Sequence, residues 1–238
     1  MTGVDPGPGQ GTPRERAGWA GLRRPSGAQW AGGLLVPAAT LLLPLAVANP
    51  GRLAHPAPWV CAVAALVIYV TQPPLGKGAG PSDPDGRSIL GIIVGGLLVS
   101  IAPVMDFGFR AELRPPALSG WTLGGTLLVA GGTWLRVWSI AVLGRFFTAR
   151  VAVQESQPVV DYGPYRHIRH PSYTGALIAA FGAATVCQSM LGAVLTAGVM
   201  LPAYLYRIAR EEAHLVARLG APYRSYQART RRLVPGVL

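Results

Sequence analysis

Apolar stretches separated by short polar segments make up most of the chain after residue 30. Six of them can be distinguished, at residues 30–48, 57–75, 88–105, 118–143, 172–187 and 189–206. The first four approach or exceed the roughly 18 residues that a membrane-spanning helix needs. The last two are shorter and meet at Gln188 and Ser189, which predicts a tight C-terminal helical hairpin. Strand alternation is not evident, so the pattern predicts an all-α integral membrane protein with five to six transmembrane helices.

The chain divides into three regions by composition. Residues 1–28 are rich in Gly and Pro, contain four arginines and show no apolar period, which predicts a disordered cytoplasmic tail. Residues 29–117 are predicted to form the N-terminal transmembrane helices. Residues 118–238 contain the later apolar stretches and the two polar segments of most interest, so we predict that they form the functional core.

The distribution of charge predicts how the helices are oriented. The formal net charge is +11, but only 13% of the residues are charged, against about 25% in soluble domains. Most lysines and arginines fall in segments on the same side as the N-terminus, as the positive-inside rule requires of cytoplasmic segments. Membrane orientation thus explains the basic charge without nucleic acid as a partner. We predict a protein of the cytoplasmic membrane of a prokaryote, embedded in the lipid bilayer, with both termini in the cytoplasm.

The two cysteines do not indicate a metal site. Cys61 and Cys187 lie inside apolar stretches and lack the CxxC or CxxH spacing of metal ligands. We predict that both are small buried side chains, with neither a disulfide nor a metal.

The segment "YGPYRHIRHPSYTG" at residues 162–175 is unusually polar for the entrance to an apolar helix. It contains Arg166, His167, Arg169 and His170 within five residues, and Pro171 suits the first turn of a helix. The free N–H groups of that turn and the nearby cations would attract an anion, while Tyr165 and Tyr173 offer aromatic faces. S-adenosylmethionine, with its carboxylate, its cation and its flat heterocycle, would match this segment. The alternative is an interfacial anchor, with the same side chains at headgroup level.

A second polar cluster lies in "YLYRIAREEAHL". Tyr204, Arg207 and Glu211 are spaced by three and four residues, so they share one face of the predicted helix. Ionisable groups at the edge of a membrane are costly and usually functional. The alternative is a simple Arg207–Glu211 ion pair along the helix.

Together these residues resemble the isoprenylcysteine carboxyl methyltransferase family, and they are similar to the related phospholipid methyltransferases. The family pattern is GPY-x3-RHP-x-Y-x-G, then paired glutamates, an FG-like turn, Y-x2-Y and a closing proline. The resemblance covers roughly residues 120–238. The matching residues are Gly163, Pro164, Tyr165, Arg169, His170, Pro171, Tyr173, Gly175, Glu211, Glu212, Leu219, Gly220, Tyr223, Tyr226 and Pro235.

The resemblance implies a methyltransferase core at residues 118–238, with a cytoplasmic pocket for S-adenosylmethionine and no metal. It assigns catalytic roles to Arg207, Glu211 and Glu212. The cofactor-binding residues that it implies are Gly163, Tyr165, Arg169, His170, Pro171, Tyr173 and Gly175. The chain departs from the family at Gln157 and Pro158, where many members carry a His before the hydrophobic pair, and that puts one cofactor contact in doubt.

The methyl acceptor is open at this point. An apolar bundle with its site at the cytoplasmic boundary favours a lipidic or prenylated small acceptor that enters from lipid and has a carboxylate, thiol or amine head group. A small volatile thiol is the lesser alternative. Two other classes also remain, an NADPH-dependent membrane reductase of the sterol type and a non-catalytic membrane protein. Arg136 lies inside the fourth apolar stretch, and we predict that it faces the bundle interior because a lipid-facing arginine is costly.

Overall fold

The computed structural model describes residues 21–72, 86–110, 116–148 and 157–234, and helices dominate these ranges. Short 3₁₀ turns join some of the helices, and a π-helical turn interrupts both α1 and α6. The prediction of an all-α protein is confirmed. The helices are α1 (Gly27–Ala48), α2 (Pro56–Thr71), α3 (Gly86–Phe109), α4 (Gly120–Leu143), α5 (Pro171–Val186), α6 (Met190–Leu219) and α7 (Ala221–Arg229).

Four of the described helices, α1, α3, α4 and α6, are long and apolar enough to cross a membrane. Helices α2 and α5 have 16 residues each, somewhat short for a perpendicular crossing. Large apolar side chains on the outer faces of the bundle are exposed, among them Leu35, Val63 and Leu127. Such faces suit a lipid environment, so the protein is an integral membrane protein, while the count of five to six spans stays a prediction.

Helix ends follow local chemistry that the sequence partly reveals. The side chain of Ser26 accepts a hydrogen bond from the backbone N–H of Gln29 and caps α1. The helix therefore begins at Gly27, two residues inside the predicted disordered tail, whose residues 1–20 lie outside the described ranges. The predicted hairpin is confirmed, since α5 ends before Gln188 at φ 49° and Ser189 caps α6. Helix α6 continues beyond the apolar stretch, to Leu219.

Helices α4 and α5 pack closely because glycines line their contact. A Cβ atom on Gly175 would lie only 2.6 Å from the Gly132 carbonyl oxygen and 2.7 Å from the backbone nitrogen of Arg136. Only a residue without a side chain permits this approach. The close packing brings the middle of α4 against the first turns of α5, where the polar segment enters the membrane.

Candidate functional site

The polar segment before α5 is anchored to two helices. Gly163 begins a 3₁₀ turn with φ 58°, a conformation that favours glycine. The buried side chain of Tyr165 donates a hydrogen bond to the Ser139 carbonyl of α4 at 3.2 Å. The Tyr226 hydroxyl of α7 donates to the Tyr165 carbonyl at 2.7 Å. The segment is therefore fixed between the end of α4 and the C-terminal helix.

The same segment pairs with the chain that follows α7. The backbone N–H of Arg169 donates to the Arg231 carbonyl at 2.7 Å, and that of His170 donates to the Arg232 carbonyl at 3.0 Å. In return, the Arg231 N–H donates to the His167 carbonyl at 3.2 Å. These bonds form a short parallel bridge, which holds the RHP sequence in one position.

Glu212 ties this loop to α6. It is 4% exposed, and its Oε1 lies 2.6 Å from Arg169 Nε and 3.2 Å from His170 Nε2. Its Oε2 accepts from Arg232 Nε at 3.1 Å. One carboxylate thus holds three basic side chains from two separate segments, and both of its oxygens are engaged.

Glu211, the preceding residue, occupies a different environment. It accepts a hydrogen bond from the Tyr173 hydroxyl at 3.1 Å, and about a third of its side chain is exposed. The Tyr173 ring stacks on Tyr204 of α6 with 4.6 Å between centroids. Glu211 therefore presents a carboxylate beside an aromatic pair.

A cavity lies between the loop, α4, α6 and α7. It encloses about 1140 Å³ of empty space, including its open mouth. Its wall is aromatic and aliphatic towards α7 and the end of α6, where Leu215, Leu219, Tyr223 and Tyr226 line it. Arg169 and Glu211 add polar groups to the wall. An apolar cavity with a few convergent polar groups is the usual form of a small-molecule site.

Two buried arginines also line the cavity. Arg207 is 2% exposed and donates to Ser88 Oγ at 2.9 Å. Arg136 is 6% exposed, and its guanidinium donates to Gln72 Oε1 at 2.6 Å and to the Ser172 carbonyl at 3.3 Å. The prediction that Arg136 faces the bundle interior is confirmed.

The structure brings most of the predicted site residues to this cavity, but not all of them. Six of them line it: Tyr165, Arg169, His170, Tyr173, Arg207 and Glu211. Four are not among the lining residues. Gly163 shapes the loop, Pro171 begins α5, Gly175 packs on α4 and Glu212 points into the ion-pair cluster. Pro235 lies outside the described residues.

Sequence reasoning did not single out several lining residues. Gln72 follows α2 and reaches the cavity only through tertiary packing, so its sequence context gives no signal. Phe146 and Phe147 also line the cavity, next to the polar loop in "LGRFFT". Gln157, by contrast, was singled out as a departure from the resemblance, and it lines the cavity.

The tyrosines near the loop are kept neutral. Burial raises the pKa of Tyr223 and of Tyr226 well above the ordinary value, and the Glu212 charge adds to the effect on Tyr223. Both therefore present neutral phenols to the cavity at physiological pH. In the part of the chain that the structure describes, no group of three His, Cys, Asp or Glu side chains could hold a metal ion.

The comparisons with known proteins agree with this geometry. Residues 121–221 match the family model of phospholipid methyltransferases. Protein-S-isoprenylcysteine O-methyltransferase B of Arabidopsis thaliana is 32% identical over 144 residues, 59% of this chain and 73% of that protein. Protein-S-isoprenylcysteine O-methyltransferase A of the same plant is also 32% identical, over 54% of this chain and 68% of its own length. The fission yeast (Schizosaccharomyces pombe) protein-S-isoprenylcysteine O-methyltransferase is 30% identical over 44% of this chain and 45% of its own. The chain belongs to the isoprenylcysteine carboxyl methyltransferase family and is an integral-membrane methyltransferase.

Proposed function

We propose that this protein transfers the methyl group of S-adenosylmethionine to the carboxylate of a lipidic or prenylated small acceptor. The observation that carries the proposal is one cavity that joins the polar loop to two buried arginines inside the helix bundle. In this proposal a water-soluble cofactor enters at the loop, and an acceptor with an apolar tail enters from the bilayer towards the arginines.

The chemistry of the cavity lining suits S-adenosylmethionine. Neutral tyrosines and leucines, including Tyr223 and Leu219, offer faces for a flat heterocycle. Arg169 and His170 lie where a carboxylate could be held, and Glu211 can accept from an ammonium group. When bound, the cofactor supplies an activated methyl group on a sulfonium centre.

Side chains of the protein are proposed to orient the acceptor and to position the loop. Arg207 is proposed to orient the oxygen that receives the methyl group, because its buried guanidinium faces the same cavity as Glu211. A carboxylate acceptor is already anionic, so alignment and exclusion of water supply most of the acceleration, and no general base is needed. An amine acceptor would instead require Glu211 to accept a proton. Glu212 is proposed to act indirectly, by holding the cofactor loop in place.

The proposal includes an orientation in the membrane. We propose that the loop and both termini face the cytoplasm, where the cofactor is available, in agreement with the clustering of basic residues on that side. The names of the relatives refer to isoprenylcysteine, and an S-prenylcysteine is therefore the first acceptor to test.

The decisive experiment is a methylation assay with the protein in lipid nanodiscs. S-prenylcysteines with tails of five, ten, fifteen and twenty carbons are offered with methyl-labelled S-adenosylmethionine, and a water-soluble thiol serves as comparison. Burial of the tail contributes about 0.8 kcal/mol per CH₂, so kcat/KM should rise steeply with tail length. Equal methylation of all tails and of the free thiol would contradict lateral entry. Calorimetric titration with S-adenosylhomocysteine and NADPH separates the methyltransferase from the reductase alternative.

A further inference from the structure

Helix α3 reaches Arg207 although it precedes the segment that matches the methyltransferase family. That match begins at residue 121, whereas Ser88 lies in the first turn of α3. The Nη1 group of Arg207 donates a hydrogen bond to Ser88 Oγ at 2.9 Å. Both residues are buried, with 4% of Ser88 and 2% of Arg207 exposed. A residue of an N-terminal helix is therefore in direct contact with the guanidinium that we propose to orient the acceptor.

One face of α3 packs along α6 and fixes the place of this contact. Ser88, Ile92 and Gly95 are spaced by four and three residues, so they share that face. Ile92 lines the cavity. A Cβ atom on Gly95 would lie 3.1 Å from the sulfur of Met200 in α6, and Val99, one turn further along α3, packs with Met200 in one apolar cluster. The Ser88 hydroxyl is thus carried by a helix that is closely packed against α6.

The geometry of a guanidinium explains what this contact can do. The group is planar and its N–H donors form a rigid fork, so one fixed N–H limits the orientation of the whole plane. A serine hydroxyl accepts the hydrogen bond without carrying a negative charge, so this contact does not neutralise the guanidinium. Ser88 can therefore orient Arg207 without competing in charge with an anionic acceptor.

We propose that Ser88 is a positioning residue, whose hydroxyl aligns the Arg207 guanidinium with the acceptor oxygen that receives the methyl group; the inference rests on the proposed function. In the reaction a carboxylate oxygen forms the bond to the methyl carbon, the S–CH₃ bond breaks and its electron pair stays on sulfur. No proton moves, so Ser88 acts only through Arg207. Residues 118–238 then do not make a complete site, because α3 contributes to the alignment.

The test measures methylation by the wild-type protein and by Ser88 variants in lipid nanodiscs. The probes are the S-prenylcysteine with a fifteen-carbon tail and methyl-labelled S-adenosylmethionine. Ser88→Ala should lower kcat by about tenfold, because misalignment of a group at the reacting atoms slows the transfer step. The KM for the acceptor and the affinity for S-adenosylhomocysteine should stay within about threefold of the wild-type values, since Ser88 is not one of the described residues that line the cavity.

Two further substitutions separate the hydroxyl from the space that it fills. Ser88→Cys keeps a side chain of similar size but offers only a weak acceptor, so it should lose kcat like Ser88→Ala. Ser88→Thr keeps the hydroxyl and should retain most of the wild-type kcat. Ser100→Ala is the matched control on the same helix, because the Ser100 hydroxyl donates to the Gly96 carbonyl at 2.7 Å; its kcat should equal that of the wild type.

A detergent melting assay accompanies the kinetics. It shows whether each variant is folded, so that a lower kcat is not mistaken for a smaller amount of folded protein. If Ser88→Ala does not fold, Ser88→Cys carries the test, because it fills the same space.

The outcomes separate the two proposals. A wild-type protein that methylates no member of the tail series refutes the proposed function, and the inference falls with it. An active wild type whose kcat is unchanged in Ser88→Ala and Ser88→Cys overturns the inference alone. A folded Ser88→Thr variant as slow as Ser88→Ala also overturns it. So does a loss confined to melting temperature or to S-adenosylhomocysteine affinity, since Ser88 would then only hold the helices together.

Discussion

The cluster around Glu212 offers the sharpest test of how the site is held together. Glu212→Gln keeps the size and shape of the side chain but removes its charge. Arg169 and His170, which lie 2.6 Å and 3.2 Å from Oε1, would lose their counter-charge in a buried environment. One of the two oxygens would become an NH₂ group, which cannot accept from Arg232 or Arg169.

The magnitude follows from the burial of the cluster. Removing one partner of a buried ion pair costs about 3–5 kcal/mol of stability. The amide that replaces the carboxylate keeps one acceptor oxygen, so we expect a cost near the lower end of this range. If the cofactor pocket requires the loop in its present position, about 3 kcal/mol corresponds to binding that is weaker by roughly a hundredfold. Helices α4 and α5 pack against each other through glycine contacts that do not involve Glu212, so we expect the protein still to insert.

Two measurements check this expectation. Calorimetric titration with S-adenosylhomocysteine should show the weaker binding, and amide hydrogen exchange should accelerate in residues 167–170 and 231–232, which pair through the backbone. Glu211→Gln is the matched control on the neighbouring residue. It should change exchange in both segments much less, because Glu211 lies 4.0 Å from His170 Nδ1 and, unlike Glu212, contacts neither Arg169 nor Arg232. Normal cofactor affinity and normal exchange in Glu212→Gln would refute the structural role of this carboxylate.

Two further predictions concern packing and the tyrosines. Gly175→Ala should force α4 and α5 apart and lower stability by about 1–3 kcal/mol, whereas Gly131→Ala, where a Cβ atom meets open space, should be neutral or mildly stabilising in a detergent melting assay. Tyr226→Phe should cost about 1–3 kcal/mol, because the buried Tyr165 carbonyl loses its donor. Burial raises the folded-state pKa of Tyr226. The contribution of Tyr226 to stability is therefore complete below about pH 10 and declines as the pH rises further. Tyr226→Phe should lack this contribution to the loss of stability at alkaline pH.

Features that depend on local sequence could be predicted. The apolar stretches gave the helices because a span must satisfy its backbone internally, and the hairpin at Gln188 and Ser189 followed from the break between two stretches. The shared face of Tyr204, Arg207 and Glu211 followed from helical spacing, and all three line the cavity. The interior position of Arg136 followed from the cost of exposing a cation to lipid.

Features that depend on contacts between distant segments could not be predicted from the sequence. The loop at 167–170 is held by backbone bonds to residues 231 and 232, about sixty positions away, and no local pattern encodes such a pairing. Gly175 belongs to a motif that the resemblance associates with the cofactor, yet in the structure its lack of a side chain allows the close approach of α4. A motif marks which residues occur together, whereas packing decides which of them touch a ligand.

The paired glutamates show how one motif can supply two functions. Successive residues on an α-helix with 3.6 residues per turn point about 100° apart, and Glu211 lines the cavity while Glu212 does not. Glu212 turns towards three basic side chains and fixes the loop, while Glu211 turns towards Tyr173 and the cavity. Because the loop is held by the buried member, the other carboxylate stays available to a ligand beside the loop. The doubled glutamate thus couples the position of the polar loop to the helix that also carries Arg207.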